Sequence, residues 1–422
     1  MAERIGKYTL KFGSRPGIIA SAAIVGSKEG DGPLGGSFDE IITDGTFGEK
    51  TWEKAESAFQ HRAVVKAIEK SGMTAADIDM LMAGDLLSQC SGSAFGARDL
   101  GIPFVGLYGA CSTMALSLAL AALSVDSGAA RIAAAATSSH FCSAEKQFRT
   151  PLEYGGQRPP TAQWTATAAG CAVIGKSASP HIEAATFGRI TDYGVKDANN
   201  MGAAMAPAAC STITAFLQDT KTQPEDLDLI LTGDLGYVGS TLPRALMRKQ
   251  EHIDITTCHN DCGLMLYRLN EQDVNSGGSG CGCSAAVVCS HIVSEMRSGR
   301  LRVQRLCSVR AAAFPYGAGR AAPPAVLRNG RAALGGLTAP GRDSAVDSPR
   351  GPADKLKGDS NGYCAECFKE PEARQLRTDL DALARYNQKA YRRRGDSDSR
   401  LLGAEHNSRV QGEKVKKREN RL

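Results

Sequence analysis

The opening stretch MAERIGKYTLKFG lacks the apolar run of a signal peptide, and the longest apolar run, Met114 to Val125, is too short to span a bilayer. Both absences point to a protein made and kept on the cytoplasmic side of the membrane. A disulfide framework is missing as well, because the 13 cysteines are odd in number, irregularly spaced and preceded by no secretory signal. Most of them read as small buried apolar residues. The CxxC at Cys364 to Cys367 has no second pair near it, and glycines flanking a helix start explain Gly280 to Cys283 better than ligation does, so no metal site is expected.

What is present is a chain of 422 residues with 42% hydrophobic content, enough for two domains or one large duplicated one. Its net charge of +5 hides an asymmetry: from Val303 onward there are 24 Lys and Arg against 14 Asp and Glu, which leaves 26 against 31 for the first 302 residues. Two compositions share the chain.

From Trp52 the segment WEKAESAFQHRAVVKAIEKS has helical spacing and stops at Gly72, after which MTAADIDMLMAGDLL reads as a turn and a buried strand. This α/β unit recurs. Asp77 to Leu86 (DIDMLMAGDL) matches Asp226 to Leu235 (DLDLILTGDL) at five identical positions, 149 residues on. Between the copies, the turn GACS presents Cys111 at the start of an alanine-rich helix, where free N–H groups and the helix dipole favour a thiolate or a bound anion. Adding 149 to Cys111 lands in HND, at His259 and Asn260. If the halves are related by a pseudo-twofold axis, Cys111 and His259 converge at their junction. The loop FCSAEKQFRTPLEYGGQRPPTAQWT, with Lys146, Arg149 and Arg158, is either a solvated connection or a wall over that site. GGSGCGCSAAVVCSHIVSEMRSGR reads as a glycine-rich entry to a helix from Ser284 to Ser298, stopped by Gly299.

Three regions follow: an N-terminal half over 1–180, a C-terminal half over 181–301, and a divergent basic tail over 302–422. The tail is rich in Arg, Ala, Gly and Pro without strand alternation, the composition of a GC-rich gene read out of frame, and favours disorder. A helix is expected there only around Leu376, Leu380 and Leu383. Acidic residues interspersed in the tail argue against nucleic-acid binding.

The order GDLL, GACSTM, ATSSH, AEKQFRTPLEYGGQRPPTAQWT, GRITDYGVKDANNMGAAMAPAA, LTGDLG, HNDCGLMLY, GGSGCGCSAAVV resembles the stage V sporulation protein AD family, thiolase-like proteins of spore-forming bacteria, over roughly residues 6 to 301. The resemblance implies an α/β thiolase-like fold with duplicated αβαβα layers, commonly a homodimer. It implies a ligand, dipicolinic acid as its calcium complex, moved into the developing spore and linked to germination, with no other cofactor. It implies integral membrane stage V sporulation proteins as partners, and a peripheral place at the forespore or spore inner membrane.

Thiolase-fold condensing enzymes use a Cys nucleophile and a His at positions that Cys111 and His259 resemble. Their third group is an Asn at the entry to the last core helix, where this chain has Gly280-Cys281-Gly282-Cys283, or a second Cys in a later loop, past the point where the resemblance ends. The incomplete set argues for a non-catalytic binding protein. The alternative is an acyl-CoA-dependent condensing or acyl-transfer enzyme using a Cys111/His259 dyad. A planar dicarboxylate needs donors and a flat slot. The contacts expected are Cys111, the N–H groups of Ser112 and Thr113, a protonated His259, and then Asn260, His140 and Arg149. In the family a strand, a glycine-rich loop and a last strand close the second sheet. Nothing after residue 302 resembles them, so the closing strands are expected to be missing, with an exposed edge and low stability as consequences.

Overall fold

In the computed structural model, residues 1–148, 158–195, 197, 199–300, 305–313 and 318–328 are described. The first half runs β1 (Pro16–Gly26), α1 (Trp52–Ser71), β2 (Met80–Gly84), β3 (Phe104–Gly106), α2 (Thr113–Ser127), β4 (Ile132–Ser139), α3 (Phe141–Phe148) and β5 (Ala168–Lys176). The second runs β6 (His181–Thr186), α4 (Met201–Thr220), β7 (Leu229–Thr232), α5 (Gly236–Leu246), β8 (His259–Asp261), a helix over 281–298 (α6) whose middle turn Val287–Ile292 is π-helical, β9 (Arg305–Ala313) and β10 (Ala318–Arg328).

Local signals account for the elements. Thr51 caps α1 by accepting from Lys54 N at 3.3 Å, Gly72 closes it in the left-handed conformation at φ 72°, and Ala55, Phe59, Ala63, Val64, Ala67 and Ile68 form its buried stripe. No such stripe exists on α2, because it is buried almost all round: Met114, Leu118 and Val125 are fully enclosed, worth about 2 kcal/mol each. Its alanines keep it thin enough to lie between two sheets. The window Ala110–Ser127 is long and apolar enough to cross a membrane, yet 72% of it is buried inside the protein, as a core helix is.

The strand order β8-β7-β9-β10-β6-β1-β5-β4-β2-β3 displays the duplication. In the first half β1–β5 and β5–β4 pair antiparallel, and β4–β2 and β2–β3 parallel. In the second, β6–β10 and β10–β9 pair antiparallel, and β9–β7 and β7–β8 parallel. The two sets meet where β6 touches β1 at His181 and Gly17. Helix α1 covers the outside of the first set and α4 the outside of the second, while α2 packs between them against strands of both and α6 lies beside it. These are the αβαβα layers that the resemblance implies.

One expectation is overturned. The second half is not missing its closing strands: β9 and β10 occupy the places that β4 and β5 hold in the first half, with the same pairing senses. Alternation was the wrong test, since a strand covered on both faces need not alternate, and β4 itself is the alanine-rich IAAAATSS. Pro323 and Pro324 are accommodated at an irregularity where the partners step from Ser308↔Ala325 to Arg310↔Ala322. The second half therefore extends beyond residue 301, and residues 1–330 form one compact unit. The remainder of the tail, with Cys364, Cys367 and the leucine-spaced segment, lies outside the described residues.

Candidate functional site

Two polypeptide turns build the site. The first leads from β3 through Leu107–Gly109 into the 3-10 turn Ala110–Ser112 and on into α2. Leu107 N donates to Ala83 O at 2.8 Å, and Ala110 takes a left-handed φ of 47°. The donors at this helix start turn inward: Ser112 N and Ser112 Oγ both donate to Gly109 O, at 3.0 and 2.5 Å, and Thr113 Oγ1 donates to Ala110 O at 2.7 Å. Ser112 is thus committed to its own turn and is not the free donor that was expected.

The second turn leaves β7 at Thr232 and carries Asp234. Asp261 clamps it: Leu235 N and Thr232 Oγ1 donate to Asp261 Oδ2 at 3.0 and 2.6 Å, and Gly236 N and Gly263 N donate to Oδ1 at 2.9 and 3.0 Å. Gly236 sits at φ 64°, and a Cβ there would lie 2.4 Å from Ser276 O, so only glycine makes this turn. Gly280 N, at the start of α6, donates to Asp234 Oδ2 at 2.8 Å.

These turns bring Asp234 to Cys111. The Asp234 carboxyl faces the thiol, with the Gly280 N–H and Cys281 close by. Burial first, and then Asp234, push the Cys111 thiol well above its ordinary range. The thiolate expected at a helix start is therefore not what this environment favours.

His259 takes its partners within its own half. Arg244 Nε donates to its Nδ1 at 3.0 Å and Arg244 Nη2 to its carbonyl at 2.8 Å, so Nε2 carries the proton and donates to Thr232 Oγ1 at 3.0 Å. Burial and the Arg244 charge push the imidazole down to about 3, which removes the protonated donor that was expected. The constant offset misled because both halves place a helix between their parallel strands, Ser91–Ala97 in the first and α5 in the second, but the second adds the Cys262–Met265 turn and a longer connection between β8 and its core helix, so the counterpart of the α2 start is the α6 start. Asn260 is taken up locally, its Oδ1 accepting from Asp261 N at 2.8 Å. His140 is structural: Nδ1 accepts from Cys142 N at 3.2 Å, Nε2 donates to Gly45 O at 2.8 Å, and the ring packs on Trp52 and Phe59. Arg149 lies outside the described residues.

Behind Cys111 a buried polar cluster continues toward α1. Cys281 Sγ donates to Ser138 O at 3.0 Å, and Gln60 Nε2 bridges Gly84 O, Ser93 Oγ and Ser138 Oγ. Asp85 accepts from Leu87 N, Ser93 N and Ser93 Oγ at 2.7, 2.6 and 2.6 Å, while burial pushes its carboxyl up. Glu56 lies between the hydroxyls of Ser143 and Ser138, and burial together with the Asp85 charge pushes it up to about 8. Among the described residues no group of three His, Cys, Asp or Glu side chains is placed to hold a metal. Asp234 and Glu56 are the residues that sequence reasoning passed over. For Asp234 the signal was available, since it is an identical position of the repeat, aligned with Asp85.

The sequence model of the stage V sporulation protein AD family matches residues 6–314, reaching past Ala313 at the end of β9. Stage V sporulation protein AD of Bacillus subtilis (strain 168) is 44% identical over 297 residues, 70% of this chain and 87% of that protein. Among solved structures, the 3-oxoacyl-[acyl-carrier-protein] synthase III of Aquifex aeolicus VF5 superimposes with a TM-score of 0.46 at 11% identity, covering 74% of this chain and 99% of its own. Cerulenin-bound OleA of Xanthomonas campestris gives 0.49 at 15% identity, covering 75% and 98%.

Proposed function

Because the chain belongs to the stage V sporulation protein AD family, we propose that it binds dipicolinic acid, as its calcium complex, at the Cys111 site without transforming it, and so serves uptake into the developing spore. The observation that carries the non-catalytic reading is the partner of Cys111. A condensing enzyme needs a thiolate and a mobile imidazole beside it. Here burial and the facing Asp234 carboxyl hold the proton on sulfur, and His259 is neutral and held between Arg244 and Thr232. A protonated thiol and a clamped turn can hold a ligand, but they cannot attack an acyl carbonyl.

The same reading places the protein peripherally on the cytoplasmic side of the forespore or spore inner membrane, beside integral membrane stage V proteins. It also makes the protein a homodimer. In support of self-association, the outer edge of β3 exposes Phe104 and Val105 near the exposed Phe95.

Titration calorimetry of the purified protein with dipicolinate and calcium, and intact-mass analysis after incubation with acyl-CoA, test this directly. Saturable dipicolinate binding that weakens in Cys111→Ala, with no acyl adduct, is expected. A mass increase assigned to Cys111 would overturn it in favour of acyl transfer.

A further inference from the structure

The helical turn Ser27–Gly30, which follows β1, is stitched across the seam to a short segment of the second half. Gln272 Nε2 donates to Lys28 O at 2.7 Å, Lys28 Nζ donates to Asp273 O at 2.8 Å, and Arg268 donates to Asp31 O. Gly32 is pressed against Leu266, whose carbonyl oxygen would lie 2.0 Å from a Cβ. At the centre stands Glu29, only 1% exposed, whose Oε1 accepts from Tyr267 Oη at 2.5 Å and from Thr167 N at 3.1 Å. Its Oε2 is buried and makes no hydrogen bond among the described residues.

A carboxylate has acceptor sites on both oxygens. An ionised Glu29 would therefore hold a charge in the core with one oxygen bare, which is costly. The neutral acid avoids that cost, and burial pushes its titration up. The groups around it are its own backbone N–H, Lys28 on the same turn and Tyr267 from the second half; Asp273 and Arg158 lie beside Lys28, and Cys283 beside Tyr267. The Lys28 ammonium, which favours the charged form, is engaged by Asp273 O and by the face of Trp164, 3.2 Å from the ring centroid. Phe141 stacks on Trp164 at 3.8 Å, so both faces of the indole are covered while the turn is seated. The seam also reaches the α6 start, because Trp164–Thr165 pairs in parallel with Gly278–Ser279.

We propose that Glu29 is a proton-dependent latch between the halves: with its carboxyl neutral the Ser27–Gly30 turn stays seated on Tyr267–Asp273, and loss of the proton to solvent releases it, loosening the seam beside the α6 start. A group whose folded-state titration is raised gives up its contribution as pH rises, so the latch is closed at low pH and opens at high pH. It operates without ligand and is independent of the binding reading above.

The chain has two tryptophans, Trp52 and Trp164, so Trp52→Phe leaves Trp164 as the reporter. Acrylamide quenching of Trp164 in that background, from pH 5 to pH 9, should rise in a step as Lys28 leaves the indole face, with circular dichroism unchanged. Adding Glu29→Gln should abolish the step. Adding Tyr267→Phe removes a donor that favours the charged form, so the midpoint should move to higher pH. Adding Glu56→Gln should leave the step in place. No step, a step that survives Glu29→Gln, a midpoint unmoved by Tyr267→Phe, or loss of the step in Glu56→Gln overturns the proposal. So does a loss of circular dichroism at the same midpoint, which would assign the change to global unfolding.

Discussion

Replacing Glu56 with glutamine removes a proton that the folded chain holds and the unfolded chain releases. The carboxyl is fully buried, lies between Ser143 Oγ at 2.5 Å and Ser138 Oγ at 3.3 Å, and faces Asp85. Its pKa moves from an ordinary 4.5 to about 8 in the fold. Between those values the native state binds more protons than the unfolded state, so stability falls as pH rises. The contribution is fully present below the unfolded value and lost once pH passes through the folded one. At about 1.4 kcal/mol per unit, the shift from 4.5 to about 8 amounts to roughly 5 kcal/mol. Glutamine fills the same volume, has no proton to lose, and can donate to the Ser143 hydroxyl. Urea unfolding of wild type and Glu56→Gln, repeated from pH 5 to pH 9, should therefore give curves that diverge: the variant gains on wild type by several kcal/mol across the range, approaching ~5 kcal/mol. Asp85 and Glu29 are also pushed up by burial and slope the same way, but they are present in both proteins and leave the difference to Glu56. A difference that stays constant with pH would mean that Glu56 is ionised in the fold, and the reasoning about this cluster would fail.

His259 should show no imidazole titration by NMR between pH 5 and pH 8, because its transition is pushed down to about 3; a midpoint near the ordinary value would refute the Arg244 clamp. His259→Ala should cost about 1–3 kcal/mol by leaving Arg244 without its acceptor, with dipicolinate affinity nearly unchanged in calorimetry. Native Cys111 should react with iodoacetamide at pH 8 far more slowly than in the unfolded chain, and Asp234→Asn should speed it, since one influence holding the thiol protonated is gone; equal rates in wild type and variant would remove Asp234 from the account. A chain ending at residue 330 should unfold cooperatively, whereas one ending at 301 should not fold, because β9 and β10 bridge β7 to β6. Soluble, cooperative behaviour of the shorter chain would contradict that topology.

The duplication was legible in the sequence because strand cores repeat their letters: DIDMLMAGDL and DLDLILTGDL need the same burial in both halves. Cys111 at a helix start was legible for a similar reason, since small residues before an alanine-rich run permit little else. Connections were not legible. The longer connection from β8 to α6 shifts the second half out of the register that a fixed offset assumes, so His259 was matched to Cys111 when the α6 start was the true counterpart. The state of the thiol depends on its burial and on one carboxyl arriving from the other half, and no local pattern announces such an approach. The closing strands escaped notice because a strand enclosed on both faces carries no alternation to read.

Asp85 and Asp234 occupy the same position in the two copies of the repeat, and the fold uses them differently. Asp85 stays in its own half, where Leu87 N, Ser93 N and Ser93 Oγ occupy its carboxyl and hold the turn after β2. In the second half that turn-holding role passes to Asp261, which takes Leu235 N and Gly236 N. Asp234, released from the task, reaches across to Cys111 and Gly280. Divergence between the copies, rather than the symmetry itself, therefore sets the chemistry. Had the second copy kept the arrangement of the first, Cys111 would face no acid, and burial alone would oppose the thiolate that a helix start favours. With Asp234 in place, burial and the facing acid together keep the proton on sulfur.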